Sequence, residues 1–129
     1  MSGGGSIEAR VAAEPYAYLT TTGRRSGLAR EVEIWFVAIE DTIYLLNGGD
    51  GAHAPGSAGW VHNLRAQPRA TVRIGAVTFE ATARFPEGGS AEDTIARTAT
   101  YAKHQAGYGS DLANWRDTGV LVALDVASE

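Results

Sequence analysis

The 129-residue sequence contains no cysteine, and this absence excludes several kinds of site at once. Without thiols the chain cannot form disulfides, hold an iron–sulfur cluster on thiolates, bind zinc through thiolates or use a catalytic cysteine. Its three histidines, His53, His62 and His104, lack the short spacings of metal-binding motifs, so we predict no metal site. No apolar run approaches the ~20 residues needed to cross a bilayer, and we expect no integral membrane contact.

Positive charge is scarce overall but concentrated locally. The chain has 11 Lys and Arg against 15 Asp and Glu, a formal net charge of −4. This balance argues against a general nucleic-acid binder, because binding to the phosphate backbone depends on accumulated positive charge. An acidic protein with focused basic groups is better suited to a small anionic ligand than to a polyanion. Two such groups occur in the sequence: Arg24, Arg25 and Arg30, and then Arg65, Arg69 and Arg73.

The N-terminal segment is rich in glycine and serine and begins without the basic and apolar regions of a signal peptide. We interpret residues 1–14 as a flexible leader. Residues 15–129 are expected to form one domain, since a chain of this length commonly builds a single core. We therefore expect a soluble, cytoplasmic protein.

Alternating and β-branched segments predict six strands, and two segments that begin with capping residues predict helices. The expected strands cover residues 16–22, 31–37, 43–46, 71–74, 77–85 and 119–126. A short helix is expected at residues 58–66 with Ser57 as its N-cap, and a longer helix follows Ser90, with Asp93 completing a capping box. Strands joined by short connections, with helices inserted, predict an α+β antiparallel barrel.

Two arginines stand at the tip of the hairpin predicted for the first two strands. Residues 22–27, Thr-Gly-Arg-Arg-Ser-Gly, combine two guanidinium groups, a hydroxyl and a backbone flanked by glycine. These are the components of an anion-binding site. Arg30, at the start of the returning strand, is placed to reach the same ligand. The alternative is an ordinary solvated turn, which is what a charged cluster in a turn usually is.

A glycine-rich loop and the short helix after it form a second candidate site. Residues 47–59 offer little side chain for a core, and loops of this length are often functional, although flexibility without function is the alternative. The glycines lack the spacing of a dinucleotide fingerprint, and Ser57 is not in a nucleophile elbow. The start of the helix favours an anion, and Trp60 is placed to flank a flat ring. The alternative is that Trp60 packs in the core while Asn63 satisfies backbone groups.

Taken together, these two segments resemble a known family. Residues 19–30, LTTTGRRSGLAR, are similar to the signature TTTGRKSG-x-x-R of the deazaflavin-dependent nitroreductases, and residues 60–68, WVHNLRAQP, are similar to their W-x-x-N-L-x-A-x-P helix. The resemblance implies a six-stranded antiparallel split β-barrel of the FMN-binding type, with a short inserted helix and a helix before the last strand. It also implies coenzyme F420, which has an anionic phosphate and oligoglutamate tail and a deazaflavin ring that carries a hydride.

The same resemblance implies a role for each motif residue. The residues that would bind the acidic tail are Arg24, Arg25, Ser26 and Arg30. Those that would lie near the ring or ribityl chain are Trp60, Asn63, Leu46, Asn47 and Gly48. The implied reaction transfers a hydride from the reduced cofactor to a small electrophilic acceptor, which is a quinone, a nitroaromatic or an enone, and then protonates it.

The chain departs from the family pattern at three points. Asn47 and Gly48 stand where the family commonly has a lysine. No proline follows the arginine of the second strand, and Glu33 would repel an anionic cofactor unless its carboxylate points elsewhere or pairs with an arginine. In place of a tyrosine cluster before the last strand, the chain has Tyr101, Tyr108 and Trp115. We take Tyr108 as the candidate catalytic residue that orients or protonates the acceptor, with an aromatic that caps the barrel as the alternative.

Two further hypotheses stay open at the level of sequence. Split barrels also bind FMN or heme, and a fold does not determine a function. The second hypothesis is a non-catalytic binder or carrier of F420, FMN, heme or an apolar ligand in the same cleft. The expected partner is a small-molecule acceptor, and a homodimer is left open because split barrels often pair through their sheets.

Overall fold

A computed structural model describes residues 7–49 and 52–127 of the chain. Its seven strands in these residues are β1 (Tyr16–Thr22), β2 (Ala29–Trp35), β3 (Val37–Ile39), β4 (Thr42–Asn47), β5 (Arg69–Ile74), β6 (Val77–Arg84) and β7 (Val120–Val126). The four helices of the same residues are α1 (Ile7–Val11), α2 (Gly59–Ala66), α3 (Ala91–Gln105) and α4 (Ala113–Thr118). None of these described helices is long and apolar enough to cross a membrane.

The described strands form one antiparallel sheet in the order β2-β1-β5-β6-β7-β4-β3, curled into a half-barrel. This confirms the predicted α+β class with an antiparallel sheet, but the described chain has seven strands where we predicted six. β1 and β2 pair as the predicted hairpin, from Tyr16 opposite Trp35 to Thr22 opposite Ala29. This register places the arginine-containing turn at the free end of the hairpin.

The additional strand arises because the predicted second strand, residues 31–37, ends at Trp35. Up to that point the strand has one exposed and one partly buried face, which produces the period of two. Phe36 and Val37 are both buried, at 0% and 9% exposed, and they join two different apolar clusters. The one-sided pattern therefore ends, and Val37–Ile39 pairs with β4 as a separate strand.

The N-terminal segment is folded from residue 7 onward, which corrects the expectation of a flexible leader for residues 7–14. Ile7 and Val11 lie on the buried side of α1, at 6% and 1% exposed, and belong to the main core. The Ile7 N–H also donates to a carboxylate oxygen of Asp41 at 3.0 Å. The overlooked signal was the spacing of the two large apolar residues, since positions i and i+4 share one helical face. Residues 1–6 of the predicted leader lie outside the described chain.

Helix α3 covers a second apolar cluster beside the main core. The helix begins as predicted, because Ser90 Oγ accepts a hydrogen bond from the Asp93 N–H at 3.1 Å. Alternate residues of β4 enter the main core and the second cluster, so β4 is buried on both faces. The end of β4 is therefore a firmly held position, and the candidate site is built next to it. The buried members of the second cluster are Val37, Tyr44, Leu46, Ala96, Leu121 and Ala123.

Replacing Val11 with alanine tests whether α1 is part of the fold. Val11 is 1% exposed, so we expect the truncation to lower the free energy of unfolding by about 1–2 kcal/mol in chemical denaturation. The control is Ala9→Ser on the exposed side of the same helix, for which we expect a loss below about 0.5 kcal/mol. Equal losses in the two variants would contradict the packing of α1 against the core.

Candidate functional site

The turn between β1 and β2 is closed tightly around Gly23. The Gly23 N–H donates to the Leu28 carbonyl at 2.8 Å, and Ser26 Oγ accepts a hydrogen bond from the Leu28 N–H at 3.1 Å. A Cβ atom on Gly23 would lie 2.7 Å from Ser26 Oγ and 3.2 Å from the Leu28 carbonyl oxygen, so a side chain there would have to displace the hydroxyl that accepts the Leu28 N–H. Because the backbone is closed in this way, Arg24 and Arg25 are exposed on the outside of the turn.

Asn63 on α2 joins the helix to this turn. The residue is 5% exposed, and its Oδ1 accepts hydrogen bonds from the Arg24 N–H at 3.1 Å and from Arg24 Nη1 at 3.0 Å. Its Nδ2 donates to Thr21 Oγ1 at 3.1 Å, and Thr21 is itself buried near the end of β1. One amide group thus connects a strand, a turn and a helix, and it orients the guanidinium group of Arg24.

A cleft of about 530 Å³ opens between the turn and α2, and we call it the cationic cleft. Six of the predicted site residues lie around it, and none of its described lining residues is acidic. Trp60 is only 8% exposed and also belongs to the main core, as the packing alternative expected. The lining residues are Gly23, Arg24, Arg25, Ser26, Arg30, Val32, Ala58, Gly59, Trp60 and Asn63.

A second cleft, of about 360 Å³, continues along the start of α2, and we call it the middle cleft. Two of its residues, Ala58 and Gly59, also line the cationic cleft. Asn47 Oδ1 accepts a hydrogen bond from the Ala58 N–H at 3.2 Å, which ties the end of β4 to the start of α2. The remaining lining residues are Gly48, His53 and Ser57. We did not predict His53 as a site residue, and its position in the glycine-rich loop was the available signal.

Ser57 does not cap α2, which corrects the prediction from sequence. Its hydroxyl donates to the Ala54 carbonyl at 2.6 Å, and the N-cap position belongs to Ala58, which offers no side-chain hydrogen bond. The first turn of α2 contains no acidic residue. The positive end of the helix dipole is therefore not neutralised by a carboxylate of the helix itself, and it lies at the boundary of the cationic and middle clefts.

A third cleft, of about 480 Å³, adjoins the middle cleft, and we call it the aromatic cleft. It shares Asn47 with the middle cleft, so the three clefts form a row in which neighbours have residues in common. Of the predicted site residues, Leu46, Asn47 and Tyr108 line this cleft and not the cationic cleft. The lining residues are Tyr16, Glu33, Ile34, Trp35, Leu46, Asn47, Tyr108, Leu112 and Trp115.

Trp35 is surrounded by three other rings at the aromatic cleft. It stacks on His104 with ring centres 4.5 Å apart and planes inclined by 6°, while Tyr108 and Trp115 meet it edge-on at 5.4 and 5.5 Å. His104 Nε2 lies 2.9 Å from the Phe36 carbonyl oxygen and donates to it, because a carbonyl only accepts. Burial lowers the pKa of His104, which keeps the imidazole neutral near pH 7.

The wall that carries Tyr108 and Trp115 is anchored by α3. Gln105 makes two hydrogen bonds to the backbone of residues 110–112, at 2.9 and 2.6 Å. Arg97 Nη1 donates to two carbonyl groups at and just beyond the end of α4, at 2.8 and 2.7 Å. Trp115 Nε1 donates to the Leu46 carbonyl at 3.0 Å, which closes the wall onto β4. We did not predict these α3 residues, because the sequence does not indicate which loop a helix will hold.

Glu33 is separated from the arginine-containing turn, so its carboxylate does not oppose the positive charge of the cationic cleft. It lines the aromatic cleft and not the cationic cleft. The Tyr18 hydroxyl donates to its carboxylate at 2.6 Å, and this hydrogen bond raises the pKa of Tyr18. Within the described part of the chain, Glu33 forms no ion pair with an arginine.

Comparison with known proteins adds a family and a fold to this geometry. The sequence model of the F420H(2)-dependent quinone reductases matches residues 1–125. Among solved structures, the F420-H2 dependent reductase FDR-A superposes with a TM-score of 0.67 at 25% identity, over 88% of this chain and 94% of the other. A domain-swapped dimer superposes with a TM-score of 0.66 at 24% identity, over 88% of this chain and 80% of the other.

A heme binding protein from Mycobacterium smegmatis has the same fold. It superposes with a TM-score of 0.70 at 21% identity, over 92% of this chain and 50% of the other. At such identities the heme binding protein and the domain-swapped dimer show a shared fold alone. No curated protein matches the chain.

Replacing Asn63 with alanine tests the joint between turn and helix. The change leaves the buried Thr21 hydroxyl and the Arg24 N–H without their partner, and we expect the free energy of unfolding to fall by about 2 kcal/mol. Chemical denaturation measures the loss. His62→Ala on the exposed side of the same helix is the control, with an expected change within about 0.5 kcal/mol. A loss no larger than the control's would show that the amide does not hold the turn.

The lowered pKa of His104 predicts a loss of stability on acidification. The unfolded imidazole takes up a proton near its ordinary pKa of 6.5, whereas the buried imidazole resists protonation until the pH is lower. The unfolded chain therefore binds more protons in this window, and the free energy of unfolding falls as the pH drops from 6.5 through the folded pKa. The loss is on the order of 1 kcal/mol for each pH unit that separates the two pKa values.

His104→Gln isolates this contribution, because glutamine keeps an N–H donor but does not titrate. Denaturation curves measured between about pH 7.5 and about pH 5 should show a steeper loss for the original chain than for the variant. His62→Gln, which changes an exposed histidine, should follow the original chain. Parallel pH profiles for all three proteins would refute the assignment to His104.

Proposed function

The chain belongs to the F420H2-dependent quinone reductase family, whose cofactor is coenzyme F420, and we propose that it transfers a hydride from the reduced deazaflavin to a small electrophilic acceptor. The family name favours a quinone, and nitroaromatics and enones are the related acceptors. When bound, the cofactor supplies a two-electron hydride donor, so the protein need only align the reactants and exclude water.

The distribution of charge along the three clefts is the observation that supports this proposal. Arg24, Arg25 and Arg30 lie at one end of the row, and aromatic side chains lie at the other. F420 has the matching asymmetry, with an anionic tail and a flat aromatic ring. Guanidinium groups bind carboxylate and phosphate through paired hydrogen bonds, and aromatic walls suit a planar ring. The residues present therefore fit the cofactor.

In this proposal the cationic cleft binds the tail. Arg24, Arg25, Ser26 and Arg30 contact its carboxylates and phosphate, and the start of α2 adds the positive end of a helix dipole. Asn63 positions Arg24 through the hydrogen bond to Nη1, so the guanidinium is already oriented before the ligand arrives. Such preorganisation increases affinity because less side-chain entropy is lost on binding.

The end of β4 and the aromatic cleft then accommodate the ring and the acceptor. A Cβ atom on Gly48 would lie 2.7 Å from Trp115 Cδ1, so the glycine lets the backbone of residues 46–48 approach the indole closely. Trp60 and Asn63 line the cationic cleft, and in this proposal they lie near the ribityl chain. Tyr108 is 48% exposed and edge-on to Trp35, a position from which its hydroxyl can orient the acceptor and donate the proton that follows the hydride.

A non-catalytic binder or carrier is the second candidate function. It is favoured by the fold that the chain shares with a heme binding protein, because one fold can serve several functions. A homodimer and the identity of the acceptor likewise stay predictions.

Binding of F420 tests the proposal directly. Titration of the purified protein should change the fluorescence of F420, and Arg24→Ala/Arg25→Ala should weaken binding by about 100-fold, since each charged hydrogen bond contributes about 1.5–3 kcal/mol. The control is Arg65→Ala/Arg69→Ala, which removes the same charge away from the clefts and should bind within about threefold of the original chain.

Turnover then separates the enzyme from the carrier. Reduced F420 should be oxidised by menadione in the presence of the original chain, and Tyr108→Phe should lower kcat by about 10-fold or more with little change in F420 affinity. Binding without oxidation of the reduced cofactor by any quinone, nitroaromatic or enone would favour the carrier. Tight binding of FMN or heme together with indifference to F420 would refute the proposal.

A further inference from the structure

We propose that Glu33 sets the charge preference for the acceptor, so that neutral planar acceptors are used in preference to anionic ones. The inference rests on the proposed function in one respect, namely that the acceptor binds in the aromatic cleft. It goes further by assigning a role to a residue that the family signature does not include. Glu33 acts on the acceptor through its charge and is a specificity-determining residue.

The aromatic cleft has a single charged lining residue in the described chain. Glu33 is the sole ionisable acid or base with charge at neutral pH among the described lining residues, since the other eight are apolar, aromatic or, at Asn47, an amide. The cationic cleft has the opposite character, with three arginines and no described acid. An anionic molecule that enters the row is therefore attracted to one end and repelled at the other.

The charge of Glu33 is not cancelled by its neighbours. In the described chain its carboxylate makes no ion pair, and its partner is the neutral Tyr18 hydroxyl, which donates to it at 2.6 Å. Arg73 stacks on the Tyr18 ring with Cζ 4.2 Å from the ring centre, and Tyr18 on β1 lies between Glu33 on β2 and Arg73 on β5 in the sheet.

The position of Glu33 relative to Trp35 directs this charge at the acceptor. The two residues are two apart in β2, so their side chains leave the same face of the strand. One face of the Trp35 ring is covered by His104, whose pKa is lowered by burial and which therefore adds no compensating positive charge near pH 7. A planar acceptor that packs against this wall lies beside an uncompensated carboxylate.

The exposure of Glu33 to solvent determines how strongly it repels an anionic acceptor. Glu33 is exposed to solvent, so the repulsion of an anion several Å away is that of a high-dielectric environment, about 3- to 10-fold in binding. The same exposure makes it sensitive to salt, because screening at ~0.15 M ionic strength acts over about 8 Å. A preference of this size that weakens with salt is the signature of a single exposed charge.

Two quinones that differ by one charge measure the preference. 1,4-Naphthoquinone and its 2-sulfonate are compared as acceptors of reduced F420, and the ratio of their kcat/KM values is determined for each protein at low salt. Comparing one ratio between variants removes the difference in reactivity of the two quinones. The test variant is Glu33→Gln, whose side-chain oxygen still accepts the Tyr18 hydrogen bond, and thermal melting checks that it folds.

Glu31→Gln is the matched control, because Glu31 is on the same strand and the same face but does not line the aromatic cleft. We expect Glu33→Gln to raise relative use of the sulfonate by about 3- to 10-fold, and Glu31→Gln to change it by less than about 2-fold. The difference should shrink as salt is added. An unchanged ratio in Glu33→Gln, or an equal change in the control, would overturn the assignment.

A binding measurement keeps this test separate from the proposed function. Quenching of tryptophan fluorescence by the two quinones without cofactor reports their affinity for the clefts through Trp35 and Trp115 of the aromatic cleft and Trp60 of the cationic cleft, and the difference between the original chain and Glu33→Gln isolates the aromatic cleft. If the original chain fails to oxidise reduced F420, the proposed function fails, but the affinity ratio still reports on Glu33. The same 3- to 10-fold change in that ratio is expected, and its absence contradicts the role of Glu33 whatever the reaction.

Discussion

The buried amide of Asn63 is the interaction on which the cationic end of the site depends. An amide carries both a donor and an acceptor, and here the donor meets Thr21 while the acceptor meets the backbone and side chain of Arg24. A carboxylate cannot donate to the threonine, and an apolar side chain can do neither. The turn, the strand before it and α2 are consequently held in one arrangement, and the guanidinium group of Arg24 is positioned by the fold.

A second set of hydrogen bonds fixes the end of β4 beside the aromatic cleft. β4 is buried on both faces, and its last residues receive hydrogen bonds from two directions, Leu46 from the Trp115 indole and Asn47 from the Ala58 N–H. Asn47 lines both the middle and the aromatic cleft, and Ala58 lines both the middle and the cationic cleft, so the hydrogen bond between these two residues links the row of clefts at the end of β4. Chemistry that depends on the spacing between an anionic tail and a flat ring requires such a rigid spacer.

The sequence predicted local structure well where each face of an element keeps the same degree of burial along its whole length. The first strand has the bounds predicted, Tyr16–Thr22, and Ser90 caps α3 as its capping box indicated. The prediction was wrong where the environment changed within a pattern, as at Trp35, and where a short helix had only two apolar residues to indicate it, as in α1. Ser57 was wrong for a different reason, because its hydroxyl found a closer acceptor in the loop.

The sequence by itself determined which residues could bind an anion and which family they indicate, since Gly23, the paired arginines and the Trp60 to Asn63 motif are adjacent or regularly spaced along the chain. Only the tertiary structure decided that Trp35 stacks on His104, that α3 holds the wall bearing Tyr108, and that Glu33 lies at the far end from the arginines. Periodicity reports which face of an element is buried, but not which distant element covers it. These contacts join residues far apart in sequence, and only the packing of the folded chain selects them.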